Sequence, residues 1–195
     1  MHFEAVNTVS HPAALVLETM IERMEAIVPF LPNVESIETL ERKRLKNERI
    51  RIRRRWQGEA DSMPAALRPF LPRDILAWLD TAVWVPTEYR VEWAQSTCVA
   101  GVAQLYNCSG VNYFEPHPDD PQHRTRIRIT GNLQIHPERL PGVPRFLAER
   151  LAPQVEKFIV GLITPNLTDL ATGLQRYFDA QQKPQRRRKA SAAEE

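Results

Sequence analysis

Between Pro144 and Gln182 apolar residues recur at three- and four-residue steps. They run through Leu147, Leu151, Val155, Phe158 and Leu162, then through Ile163, Leu167, Leu170, Leu174 and Phe178, shifted by one position. That spacing gives a helix one wide apolar stripe, with Glu149, Arg150, Glu156, Lys157, Asp169 and Arg176 mostly off it. A helix of roughly 30 residues is about 45 Å long and needs a broad apolar partner. Pro153 is tolerable if Arg145–Ala152 is a short preceding turn and the main helix begins there. Pro165 predicts a kink unless a new segment starts at it.

Several stretches of the rest of the chain alternate with a period of two. His2–Val9 places Phe3, Ala5, Asn7 and Val9 on one face of a first strand. Ser10 or His11 before Pro12 marks a helix start, and Ala14–Ile27 follows at helical period until Pro29 and Pro32 end it. Val34–Arg44 and Glu48–Gln57 read as a hairpin across Lys46-Asn47, with Ile50, Ile52 and Trp56 alternating against Arg49, Arg51, Arg53 and Arg55. Gly58–Pro72 reads as a loop with a helical turn at Ala65–Phe70, and Asp74–Leu79 as one short helix. Thr81–Val85 and Tyr89–Ser96 are strands, and Thr97–Gln104 is ambiguous, with a loop as one reading. Leu105–Glu115 and Arg124–Ile135 are long strands around a proline-rich turn at His117–Pro121. In the last, Ile127, Ile129, Leu133 and Ile135 share a face with Gly131. These elements predict an α+β fold: a seven-stranded curved antiparallel sheet, two short helices after strand 1, and the long C-terminal helix covering the apolar face.

At 195 residues, 43% hydrophobic and 26% charged, the chain suits one domain with a real core. We place that domain at residues 1–182 and expect the basic stretch 183–195 to be a disordered tail. The chain starts without the basic and apolar regions of a signal peptide and has no long apolar span, so a cytoplasmic location is expected. Cys98 and Cys108 lack a metal-binding or redox spacing. The five histidines are scattered, no GxSxG or Gly-rich phosphate loop occurs, and no metal or cofactor is expected.

The element order, with "VPFLPNVESIE" leading into the second strand and "LPGVPRFLAERLAPQVEKFIVGLITPNLTDL" entering the last helix, resembles the helix-grip superfamily of START-like and birch-pollen-allergen-like proteins. That group, often labelled SRPBCC, includes the polyketide cyclase/dehydrase and lipid-transport proteins. "RIRRRWQG" and "GNLQIHP" fit the same pattern, and the resemblance covers about residues 1–180. These are patterns of fold and not catalytic motifs. The resemblance implies a cavity between sheet and helix that holds a lipid, sterol, quinone, polyketide or other apolar molecule.

Polar residues on otherwise apolar faces are the candidates for orienting such a ligand. Arg54 shares a face with Ile50, Ile52 and Trp56, and Gln95 shares one with Val91 and Trp93. Asn107, Ser109 and Tyr113 are read as sharing a face with Leu105 and Val111. A buried arginine needs an anion or a carboxylate, so these positions are either ligand contacts or internally paired. We therefore assign ligand binding to Arg54, Trp56, Trp93, Gln95, Asn107 and Tyr113, with Val155, Phe158, Ile159 and Leu162 as the helix wall. Binding or transport of a hydrophobic small molecule is the preferred function. A cyclase-like enzyme using Arg54, Tyr113 or His136 is the first alternative. The second is docking on an anionic membrane or protein surface through Arg49, Arg51, Arg53 and Arg55. Nucleic acid is not expected, because only Trp56 accompanies that basic run.

Overall fold

The computed structural model describes residues 1–62, 73–98, 106–136, 139 and 145–191. Seven strands run β1 (His2–Val9), β2 (Val34–Arg44), β3 (Ile50–Gly58), β4 (Ala77–Val85), β5 (Arg90–Thr97), β6 (Tyr106–His117) and β7 (Asp120–Ile135). They form one antiparallel sheet in the order β1-β7-β6-β5-β4-β3-β2. Helix α1 (Ala13–Glu22) and a 3-10 segment (Met24–Phe30) link β1 to β2, and α2 (Arg145–Ser191) follows β7. This is the α+β architecture that the alternation predicted.

Several boundaries differ from the sequence reading. Helix α1 starts after Pro12, whose extended backbone makes it the cap, and neither Ser10 nor His11 supplies a side-chain bond there. It ends at Glu22, because Arg23 leaves the helical region and the next turns tighten to 3-10 geometry around Pro29. The short helix expected at Asp74–Leu79 is only a turn at Arg73–Leu76, and Ala77 already belongs to β4. The run Ile75-Leu76-Ala77-Trp78-Leu79 is apolar at either period, which hid the boundary. The β6–β7 turn is tighter than expected, since His117 pairs with Asp120 and leaves only Pro118-Asp119 at the tip. The turn expected at Ala65–Phe70 lies outside the described residues, as does most of Thr97–Gln104.

Helix α2 is continuous: no segment begins at Pro153 or Pro165, and its backbone continues to Ser191 through the stretch read as a tail. On its buried side lie Val155, Ile159, Ala171, Leu174, Tyr177 and Phe178. Its later turns press on the 3-10 segment. A Cβ on Gly173 would come within 2.6 Å of Leu31 Cδ2, and the Tyr177 ring meets Phe30 edge-on at 6.0 Å. The first strand is tied to the same turns, with the Ser10 N–H donating to Gln175 Oε1 at 2.7 Å and the His11 ring 4.2 Å from Phe178.

Candidate functional site

Strand register brings polar residues together on the inner face of the sheet. Across β3, β4, β5 and β6 the row is Arg54, Asp80, Gln95 and Cys108, each directly opposite the next. On one side of it Trp56 pairs with Trp78. On the other, Ile52, Ala82, Trp93 and Gly110 form the next row, followed by Ile50, Trp84, Val91, Asn112 and Ile129. All four tryptophans of the chain therefore face inward.

All residues of these rows except Ile50, Ile52, Cys108 and Gly110 line a cavity closed by Met20 of α1, Met24 beyond it and Leu170 of α2. The space open to the centre of a water-sized sphere is about 80 Å³. One water needs only ~10–15 Å³ on that measure, so the space holds more than an isolated solvent molecule.

Arg54 is 3% exposed. Its Nη2 donates to the carbonyls of Met20 at 3.1 Å and Ile21 at 2.8 Å, in the last turn of α1. Those carbonyls are the negative end of a helix dipole and lack intrahelical partners, so the guanidinium caps the helix from the sheet. Burial pulls the Arg54 pKa down, and the charges of Asp80 and Glu25 oppose that. Asp80 opens onto the cavity but is surrounded by protein. Burial pushes its carboxyl up to about 6, against the charge of Arg54 and a hydrogen bond with Gln95. The attraction between Arg54 and Asp80 acts across space, since the Arg54 hydrogen bonds go to α1 and its Nε has no partner. Burial also drives the Cys108 thiol up to about 12 and the Tyr106 hydroxyl above its ordinary value. Trp93 Nε1 donates to Asn112 Oδ1 at 2.7 Å, whereas the indole N–H groups of Trp56, Trp78 and Trp84 are buried without partners.

Solved structures share this fold. TTHA0849 from Thermus thermophilus superposes with a TM-score of 0.61 over 92% of this chain and 98% of its own, at 20% identity. The Zhui aromatase/cyclase from Streptomyces superposes with a TM-score of 0.56 over 91% and 93%, at 18% identity. The chain has the helix-grip fold of START-like and birch-pollen-allergen-like proteins. No family profile and no curated protein sequence matches it.

Of the residues assigned from the sequence, Arg54, Trp56, Trp93 and Gln95 line the cavity. Asn107 and Tyr113 do not. The inner face of β6 carries Tyr106, Cys108, Asn112 and Phe114, so Asn107, Ser109 and Tyr113 belong to the outer face. There the Arg128 guanidinium covers the Tyr113 ring at 4.3 Å. Apolar residues occur at both parities of this strand, and the odd set was chosen. Val155 and Ile159 are buried in the core, but the described α2 residue that lines the cavity is Leu170. The side chains of Phe158 and Leu162 lie outside the described residues.

Asp80, Trp78 and Asn112 also line the cavity and are not among the residues assigned to ligand binding from the sequence. A signal existed for the first two: Trp78, Asp80, Ala82 and Trp84 alternate with Leu79, Thr81 and Val83. Reading Asp74–Leu79 as helix concealed it. His136 sits just past β7. On the outer face of the sheet, Glu41 binds Arg51 at 2.8 Å and Arg53 at 3.3 Å, which neutralises part of the basic run.

Proposed function

We propose that this protein binds a hydrophobic small molecule in the cavity between sheet and α2. The observation that carries the reading is an apolar, tryptophan-walled space into which one short polar row, Arg54–Asp80–Gln95, is placed. Ligand sites have this composition, mostly apolar with a few polar groups that fix orientation. The test is to fill the space. Ala82 is 3% exposed and lines the cavity, so Ala82→Phe puts a ring where a ligand would lie. Binding of a lipophilic naphthalene dye, followed by its fluorescence, is expected in the wild type and lost in the variant, with the circular dichroism spectrum kept. Equal dye binding by a folded Ala82→Phe protein would remove the cavity from the account.

One observation favours a second reading, an enzyme that acts on such a ligand. Asp80, held at about 6, can take up or release a proton near neutral pH inside the cavity. The cyclase activity in the name of the Zhui protein is that protein's. For this chain it gives a reaction class to try, and turnover that survives Asp80→Asn would rule out this carboxyl as the proton carrier. Docking of Arg49, Arg51, Arg53 and Arg55 on an anionic membrane ranks third, because Glu41 already engages two of the four. Binding to anionic liposomes that is unchanged when these arginines are neutralised would exclude it.

A further inference from the structure

We propose that the cavity selects neutral, hydroxylated flat rings over carboxylates, with the ligand hydroxyl bridging Asp80 and Arg54 and with Asp80 setting the preference. This rests on the reading that the cavity binds a small molecule.

The hydrogen-bond inventory of the cavity is lopsided. Arg54 Nε and the indole N–H groups of Trp56, Trp78 and Trp84 are four buried donors without partners, all on residues that line the space. A buried donor left unpaired is costly, so a ligand that brings an oxygen acceptor within reach of one gains where a bare hydrocarbon does not. The acceptor on offer in return is the Asp80 carboxyl, which has Gln95 as its hydrogen-bond partner. Arg54 and Asp80 are directly opposite in register, yet no hydrogen bond joins them. A hydroxyl both donates and accepts, and is the smallest group that completes such a pair. An ammonium brings donors alone, and Arg54 repels it.

Charge decides between hydroxyl and carboxylate. The charged and titratable groups facing Asp80 are Arg54 from β3 and, from β6, Tyr106 and Cys108, both of which burial keeps neutral. From the α1 side Glu22 and Glu25 act on Arg54. With Asp80 ionised, the row holds one cation and one anion. A ligand carboxylate adds a second anion in a desolvated space, whereas a hydroxyl adds no charge. The walls select shape: the Trp56 and Trp78 rings stack at 5.6 Å with their planes 19° apart, a flat aromatic surface on which a planar ring packs.

The experiment compares 2-naphthol with 2-naphthoate, equal in ring system and opposite in the property at issue, by NMR titration of wild-type protein at about pH 7.5. The naphthol is expected to bind at least about tenfold more tightly. In Asp80→Asn the gap should close to within roughly threefold through tighter naphthoate binding, and in the wild type at about pH 5 it should narrow in the same direction as Asp80 takes up its proton. Naphthoate binding as tightly as naphthol to the wild type, or a gap unchanged by both manipulations, overturns the proposal and leaves a cavity that binds rings. Failure of both probes to bind overturns the cavity reading itself, and the proposal with it.

Discussion

Asp80 gives the folded chain a pH dependence opposite in sign to that of a surface carboxylate. Unfolded, it titrates near 3.8; folded, burial holds it at about 6. Between those values the native state binds more protons than the unfolded state, so stability falls as pH rises. The contribution is absent below about pH 4 and is fully unfavourable once pH has passed about 6. Asparagine has nearly the same shape and cannot ionise. Asp80→Asn is therefore expected to raise the melting temperature at about pH 7.5 and to leave it nearly unchanged at about pH 4. Thermal unfolding at the two values checks this. A lower melting temperature at the higher pH would mean that attraction to Arg54 outweighs the desolvation of the carboxylate. Other surface pairs carry little such weight, because exposed ion pairs such as Arg51–Glu41 contribute only about 0–1 kcal/mol.

At the scale of elements, two glycines let the inner face of the sheet carry large rings. Gly110 on β6 sits opposite Trp93, and Gly131 on β7 sits opposite Phe3. The two rings lie 6.4 Å apart. A Cβ at Gly110 would fall 2.2 Å from the Thr130 carbonyl oxygen and 2.6 Å from Trp93 Cζ2. At Gly131 the nearest atoms are the tip of Phe3, at 2.4 Å. Gly110→Ala should accordingly cost about 1–3 kcal/mol and shift tryptophan emission, because the backbone oxygen cannot step aside. Gly131→Ala should cost less, since the Phe3 side chain can turn away and the backbone oxygen there, of Ser109, lies at 2.9 Å, against 2.2 Å at Gly110. Urea unfolding followed by fluorescence ranks them, and an equal cost would show that the Phe3 ring is as fixed as the backbone. Strand β7 pairs through Gly131 without a bulge, and what the glycine provides is room for Phe3.

The same scale explains what was legible beforehand. Strand β1 begins and ends where alternation put it, because one wet face leaves a period that neighbours cannot blur. Arg54 could be picked out because a single charge interrupts an apolar set. Asp80 stands in an equally clear alternation, but the apolar residues before it fit a helix as well as a strand. Strand β6 was placed in the right stretch and turned the wrong way, and only its register against β5 and β7 fixes which parity faces inward. The bond from Arg54 to α1 is between residues far apart in the chain and follows from packing, which no local period records.

At the scale of the whole molecule, the two ends of the chain hold each other. Leu174, Tyr177 and Phe178 of α2 are 0%, 5% and 6% exposed and press on β1, on His11 and on the 3-10 segment that roofs the cavity. Fully burying such a side chain contributes about 1.5–3 kcal/mol, so the three together supply at least about 4.5 kcal/mol. That is comparable with the ~5–15 kcal/mol that separates a folded domain from its unfolded chain. Beyond Phe178, the described α2 side chains are exposed or only partly covered. A chain ending at Gln182 should thus unfold cooperatively at nearly the full-length melting temperature. One ending at Gly173 should lose its near-ultraviolet dichroism, bind hydrophobic dye nonspecifically and show no sharp thermal transition. If the shorter chain still melted cooperatively, the sheet and α1 would form a core of their own, and α2 would be a cover over the cavity without being the element that completes the fold.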